Sequence, residues 1–131
     1  MTTRPGVVVV VEDEPDTAEM FAEMIRLMGH QVVKSYGGIR AIDLIAEKKP
    51  AAVVLDLMMP DLYGLEVLRY IRRDPRLAMI PVVIVSAKSL PADIQAGLDA
   101  GAAFYLTKPV AYPDLKRCLE DSMQSVGQAN L

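Results

Sequence analysis

Val7-Val8-Val9-Val10-Val11-Glu12-Asp13-Glu14 is the stretch on which the fold turns. Five β-branched residues in succession, with no polar alternation, suit a strand covered on both faces, as in a parallel sheet; a strand with one wet face would alternate. The run stops abruptly at three acids, and Pro15 then opens a helical pattern. Ala18, Phe21, Ala22, Ile25 and Met28 form one apolar stripe, with Gly29 placed to close the helix.

The same alternation continues downstream. Apolar runs lie at Gln31–Ser35, Ala51–Leu55, Pro81–Val85 and Ala102–Leu106. Between them come helical stripes. Ile42, Ile45 and Ala46 precede Pro50, and Leu65, Leu68 and Ile71 end near Arg73-Asp74-Pro75. Ile94 and Leu98 lie between Pro91 and Gly101. Leu115, Cys118, Leu119 and Met123 follow Pro113, with Tyr112 as a poor N-cap. Five strand-then-helix repeats predict an α/β domain with a doubly wound parallel sheet, order 2-1-3-4-5, and helices on both faces. The expected core spans about residues 6–124, leaving 125–131 as a short polar tail that frays.

Composition agrees with a single globular domain. The chain has 131 residues, 52% apolar and 24% charged, which excludes a disordered or fibrous polypeptide. A net charge of −3 gives no footprint for gripping nucleic acid. Arg69, Arg72, Arg73 and Arg76 read as a solvated basic face. Cys118 is alone, so no internal disulfide forms and a reducing compartment is expected. Val7–Val11 is too short for a signal-peptide core or for the roughly 20 residues of a membrane span, and a cytoplasmic location is expected.

In such sheets ligands bind beyond the carboxyl ends of the strands. This sequence places Glu12-Asp13-Glu14 after the first strand, Asp56 at the third, Ser86-Ala87 at the fourth and Thr107-Lys108-Pro109 after the fifth. Glu14 and Asp16 are accounted for as acids at a helix N-terminus. Asp56 is not, because it directly follows Ala-Ala-Val-Val-Leu at the core edge, where an unpaired carboxylate is expensive. Carboxylates drawn together need a proton or a cation. Oxygen-only donors with room for water favour Mg²⁺, and no His/Cys set suggests zinc.

Val8 to Glu14, Leu55-Asp56-Leu57-Met58-Met59-Pro60-Asp61, Val85-Ser86-Ala87 and Tyr105-Leu106-Thr107-Lys108-Pro109 together resemble the receiver domain of two-component response regulators, the CheY-like family, over about residues 6–124. The resemblance implies that Asp56 is the nucleophile and phosphoacceptor. It implies that Asp13 and Asp56 bind Mg²⁺ directly, Met58 through its backbone carbonyl and Glu12 through water. Ser86 would hydrogen-bond the phosphoryl group and Lys108 would pair with the acids and then with a phosphoryl oxygen. Tyr105 would be the aromatic switch, rotating inward as Ser86 moves, and Lys108-Pro109 would be cis. Implied partners are a histidine kinase or histidine phosphotransfer protein and a downstream protein or attached output domain. A homodimer would use the face built from the fourth helix, fifth strand and fifth helix; no direct nucleic-acid or membrane contact is implied.

The chain departs from the family pattern at Tyr63, where a small polar residue commonly precedes Gly64; the ring reads either as a cover for the pocket rim or a partner contact, or as a tolerated surface aromatic. Met58 offers no acid or base, which argues against a turnover phosphatase and for a phosphoryl group that persists. His30, following Gly29, reads as a cation-capable ring at a helix exit. Two other functions fit the architecture: a scaffold that binds without phosphorylation, and a flavodoxin-like cofactor protein. The flavin alternative lacks a hydroxyl- and glycine-rich phosphate loop after the first strand.

Overall fold

The computed structural model describes residues 6–129, with side chains as far as Gln124. In chain order the elements are β1 (Val7–Val11), α1 (Pro15–Leu27), β2 (Gln31–Ser35), α2 (Gly38–Lys48), β3 (Ala52–Asp56), α3 (Gly64–Arg73), β4 (Val82–Ser86), α4 (Pro91–Asp99), β5 (Phe104–Thr107) and α5 (Tyr112–Ala129). All pairings are parallel and the strand order is β2-β1-β3-β4-β5, the doubly wound sheet expected.

The unbroken apolar runs are explained by two cores. Val9, Val11, Val53, Leu55 and Ile84 face α2 and α3 through Ala41, Ile45, Leu65, Leu68 and Ile71. Val8, Val10, Val54, Val83 and Val85 face the other way, onto Phe21 and Ile25 of α1 and Leu115 and Leu119 of α5. Each such side chain, fully buried, contributes about 1.5–3 kcal/mol. The central strands are therefore rigid, and their carboxyl ends are fixed platforms.

Local chemistry sets the helix ends. Glu14 caps α1, its carboxylate accepting from the Asp16 and Thr17 N–H groups and from the Thr17 hydroxyl. Past α1, Gly29 takes φ 94°, the left-handed stop its position predicts. Lys49 ends α2 at φ 45°, a region that disfavours a side chain.

The structure corrects several expectations. β3, β4 and β5 begin at Ala52, Val82 and Phe104, one or two residues later than the apolar runs, and end on Asp56, Ser86 and Thr107 because the ladder continues past the last apolar residue. α4 does not pack through Ile94 and Leu98: Leu98 is exposed, Ile94 half-buried, and Gly97 is its one buried residue. A Cβ on Gly97 would meet Ile84 and Tyr105 side-chain carbons at 2.8 Å, so the helix lies flush on β4 and β5 there. Tyr112 is not a cap but the first helical residue of α5, whose first turn bonds back to the Ala111 carbonyl. The α5 backbone stays helical to Ala129, beyond the boundary expected at 124, because the helix pattern needs no apolar stripe to propagate. The remainder of the expected tail, residues 130–131, lies outside the described residues.

Two polar side chains also differ. His30 is buried, and its Nδ1 accepts the Gly6 N–H at 3.2 Å; burial lowers its pKa, so it is a neutral acceptor rather than a helix-end cation. Arg72 is not part of a solvated face: its guanidinium donates to the carbonyls of Gly101, Ala78 and Ile80 at 2.7–3.1 Å, tying α3 to the start of β4 and the turn before β5.

Candidate functional site at the carboxyl edge of the sheet

β1, β3, β4 and β5 end side by side, so their terminal and following residues share one edge. Glu12 is 1% exposed, Asp56 3% and Ser86 0%, whereas Asp13 and Lys108 are half-buried. Glu12, Asp13 and Asp56 each offer a carboxylate oxygen, all within 4.8 Å of one another. Lys108 lies opposite: its Nζ donates to Glu12 Oε1 at 2.6 Å and stands 3.5 Å from Asp56 Oδ2. The Lys108-Pro109 bond is cis, as the resemblance implies.

Backbone donors hold the carboxylates in place. The Met58 N–H donates to Asp56 Oδ1 and the Glu14 N–H to Glu12 Oε2, both at 3.3 Å. Gly64 makes room for the loop: its N–H donates to the Leu57 carbonyl at 2.8 Å, and a Cβ there would come within 2.4 Å of the Asp56 carbonyl. Met58 itself is 51% exposed.

Electrostatics mark the site as unfinished. With every group ionised, one ammonium faces three carboxylates, leaving two negative charges uncompensated. Asp13 responds: burial and then its contact with Glu12 push its carboxyl above the ordinary value. Burial works against the Lys108 ammonium, but the hydrogen bond to Glu12 and the charges of Asp56 and Glu12 outweigh it, and its pKa is raised. A dense set of hard oxygens with residual double-negative charge suits Mg²⁺ better than a softer metal.

Beside this cluster, Ser86 Oγ accepts the Lys88 N–H at 3.1 Å, and the Tyr105 hydroxyl donates to the Lys88 carbonyl at 2.8 Å. The sequence reading has Tyr105 turning inward only after Ser86 moves. Here the ring is already packed against the α2–α3 core and bonded to the loop, because Gly97 leaves it the space. Tyr63 is half-buried against the α2–α3 core, with the Lys88 ammonium 5.1 Å from its ring centroid.

Two contributors escape a reading of motifs. Asp61 reaches back to α2 and accepts from the Gly38 and Ile39 N–H groups at 3.1 Å, which lowers its pKa and pins the loop after β3. Its signal was Gly37, an N-cap with no side chain, which leaves α2 in want of a remote acceptor. Lys88 carries no motif signal at all.

Known proteins point the same way. The response regulator receiver domain family model matches residues 8–120. The polar-differentiation response regulator DivK of Brucella anthropi is 30% identical over 125 residues, covering 95% of this chain and 99% of that protein. The response regulator MprA of a Mycobacterium species is 40% identical over 111 residues; the match takes in 85% of this chain and only 47% of MprA. Among solved structures, the receiver domain of a Francisella response regulator superposes with a TM-score of 0.85 at 27% identity, over 93% of this chain and 98% of that one. The receiver domain of a sensor histidine kinase from Pseudomonas aeruginosa, with magnesium coordinated in its active site cleft, gives 0.85 and 27% over 92% and 99%. Fold, edge chemistry and sequence relatives agree: this chain belongs to the receiver domain family of two-component response regulators.

Proposed function

We propose that residues 1–131 form one receiver unit whose Asp56 accepts a phosphoryl group from a phosphohistidine partner, either a histidine kinase or a histidine phosphotransfer protein. The observation that carries this reading is the Asp56 carboxylate, buried at the end of β3 between the Glu12–Asp13 acids and the Lys108 ammonium. An Asp56 carboxylate oxygen attacks phosphorus in line, the phosphorus–nitrogen bond breaks, and the imidazole leaves as its protonation restores a neutral ring. Mg²⁺, held by Asp13, Asp56 and the Met58 carbonyl and by Glu12 through water, would neutralise charge on the phosphoryl oxygens. Lys108 would pair with a phosphoryl oxygen on the other side of that charge, and the Ser86 hydroxyl would donate to a phosphoryl oxygen.

Acyl phosphate formation adds charge and acceptors at Asp56. Because Tyr105 already sits inward, the change in this chain is a shift in how fully the loop after β4 holds that arrangement, with both arrangements pre-existing. The α4-β5-α5 face reads it out to a downstream protein, an attached output domain or a second copy; Leu90 and Leu98 lie exposed along α4. A cytoplasmic module of this kind is a signalling acceptor rather than a turnover enzyme, and among the described residues no helix is long and apolar enough to cross a membrane. With Met58 offering no general base, the phosphoryl group outlasts seconds without a phosphatase. Incubation with a small phosphodonor and Mg²⁺ tests the reading: Asp56→Asn abolishes labelling, and undiminished labelling of that variant overturns it.

A further inference from the structure

Tyr63 and Lys88 meet across the rim of the site, and neither contact belongs to the phosphoacceptor chemistry. Tyr63 is anchored on one side. It is the N-cap residue of α3 but makes no side-chain cap bond, and the following Gly64 is pressed against Asp56 and Leu57 backbone. Its half-buried ring packs against the α2–α3 core and is not used in capping, while its backbone is fixed to the end of β3. Lys88 lies on the other side, two residues beyond Ser86. Its N–H is bonded to Ser86 Oγ, its carbonyl to the Tyr105 hydroxyl, and its Nζ donates to the Tyr63 hydroxyl at 3.4 Å while lying 5.1 Å from the ring centroid. Among the described residues no carboxylate comes within 4.0 Å of the Lys88 ammonium. An aromatic face and its hydroxyl are thus the contacts that fix where this side chain points.

We propose that Tyr63 is a positioning residue which, through Lys88, latches the β4–α4 loop to the end of β3 and holds Tyr105 in its inward arrangement before Asp56 is modified. The two backbone bonds of Lys88 go to side chains, Ser86 Oγ on β4 and the Tyr105 hydroxyl on β5; the Tyr63 contact adds a tie from the Lys88 side chain to the segment between β3 and α3. A cation–π contact at a half-exposed site shifts an equilibrium by about two- to fivefold. That is enough to set the resting population of the loop without locking it. The latch needs no phosphoryl group; its consequence for signalling rests on the phosphoacceptor reading of Asp56.

Fluorine NMR of the full chain carrying 3-fluorotyrosine tests this, with Tyr105→Phe identifying the Tyr105 signal. In unmodified protein, Tyr63→Leu should lower the inward-to-outward ratio about two- to fivefold. Lys88→Met should move the signal the same way, and Tyr63→Phe, which keeps the ring face, should restore most of the wild-type position. An unmoved Tyr105 signal in both Tyr63→Leu and Lys88→Met overturns the latch, as does a Tyr63→Phe protein indistinguishable from Tyr63→Leu. Adding beryllofluoride with Mg²⁺ separates the two readings. Restoration of the inward signal in Tyr63→Leu supports both; no response to it in any variant, with the Tyr63→Leu shift still present, leaves the latch standing and counts against the phosphoacceptor reading alone.

Discussion

The two edges of the sheet bury polar groups in opposite ways. At the amino edge, Arg72 gives its protons to three carbonyls and neutral His30 accepts one N–H, so each polar group meets its complement within the chain. At the carboxyl edge, Glu12, Asp13 and Asp56 meet one another, with Lys108 as the cation. Hydrogen-bond satisfaction does not separate the edges, since among the described residues no buried side-chain nitrogen or oxygen lacks a partner. Charge does. Buried polarity that closes on itself is architecture, whereas like charges held together by a rigid sheet are a site kept ready for something positive.

Substitutions at the two edges should therefore have opposite signs. Arg72→Met, leaving half-buried carbonyls without donors, should lower stability by about 2–3 kcal/mol in urea unfolding while folded molecules still label at Asp56. A loss below a few tenths would mean that water replaces the guanidinium and that the amino edge is not a structural tie. Asp13→Asn should instead raise stability by about 1 kcal/mol by removing one of the three like charges. It should also abolish the rise in melting temperature that Mg²⁺ gives the wild-type protein. A destabilised Asp13→Asn protein that keeps its Mg²⁺ response would break the comparison.

Acidification sharpens it further. His30 is the one histidine, and its folded pKa lies below the ordinary 6.5. The unfolded chain takes up that proton first, so stability falls as pH drops through about 6.5 toward the folded value. Asp13 runs the other way: its folded pKa lies above 3.8, so the folded state takes up the proton first and stability is gained as pH falls through the folded value toward 3.8. Melting temperatures of wild-type, His30→Gln and Asp13→Asn proteins across these ranges should lose one slope each. The smallest effect lies outside both edges. Lys49→Gly, at φ 45°, should gain about 0.5–1 kcal/mol and leave Mg²⁺ binding untouched.

The same contrast explains how much could be read from the sequence. Strand order and both cores follow from continuous valine runs, because burial on two faces leaves no other economical reading of Val7–Val11 or Val82–Val85. The residues of the acidic edge are legible because they terminate those runs. Arg72 and His30 are not, since a charged or titratable residue on a helix pattern looks solvated until a partner distant in sequence is known. The seat of α4 is invisible for the reverse reason: Gly97 carries no hydrophobic signal, and what matters is the space it leaves for Tyr105. Lys88 gains its role only from three neighbours in two strands and a loop: Ser86, Tyr105 and Tyr63.

The central claim, that the acidic edge exists to place a phosphoryl group on Asp56, is tested most directly by locating the modification. Protein incubated with acetyl phosphate and Mg²⁺, reduced with borohydride at the acyl phosphate and mapped by peptide mass spectrometry, should carry the change at Asp56 alone, and chelation of Mg²⁺ should prevent it. Modification at Asp13 or Glu12 instead, or at Asp56 with no dependence on the metal, would contradict the account.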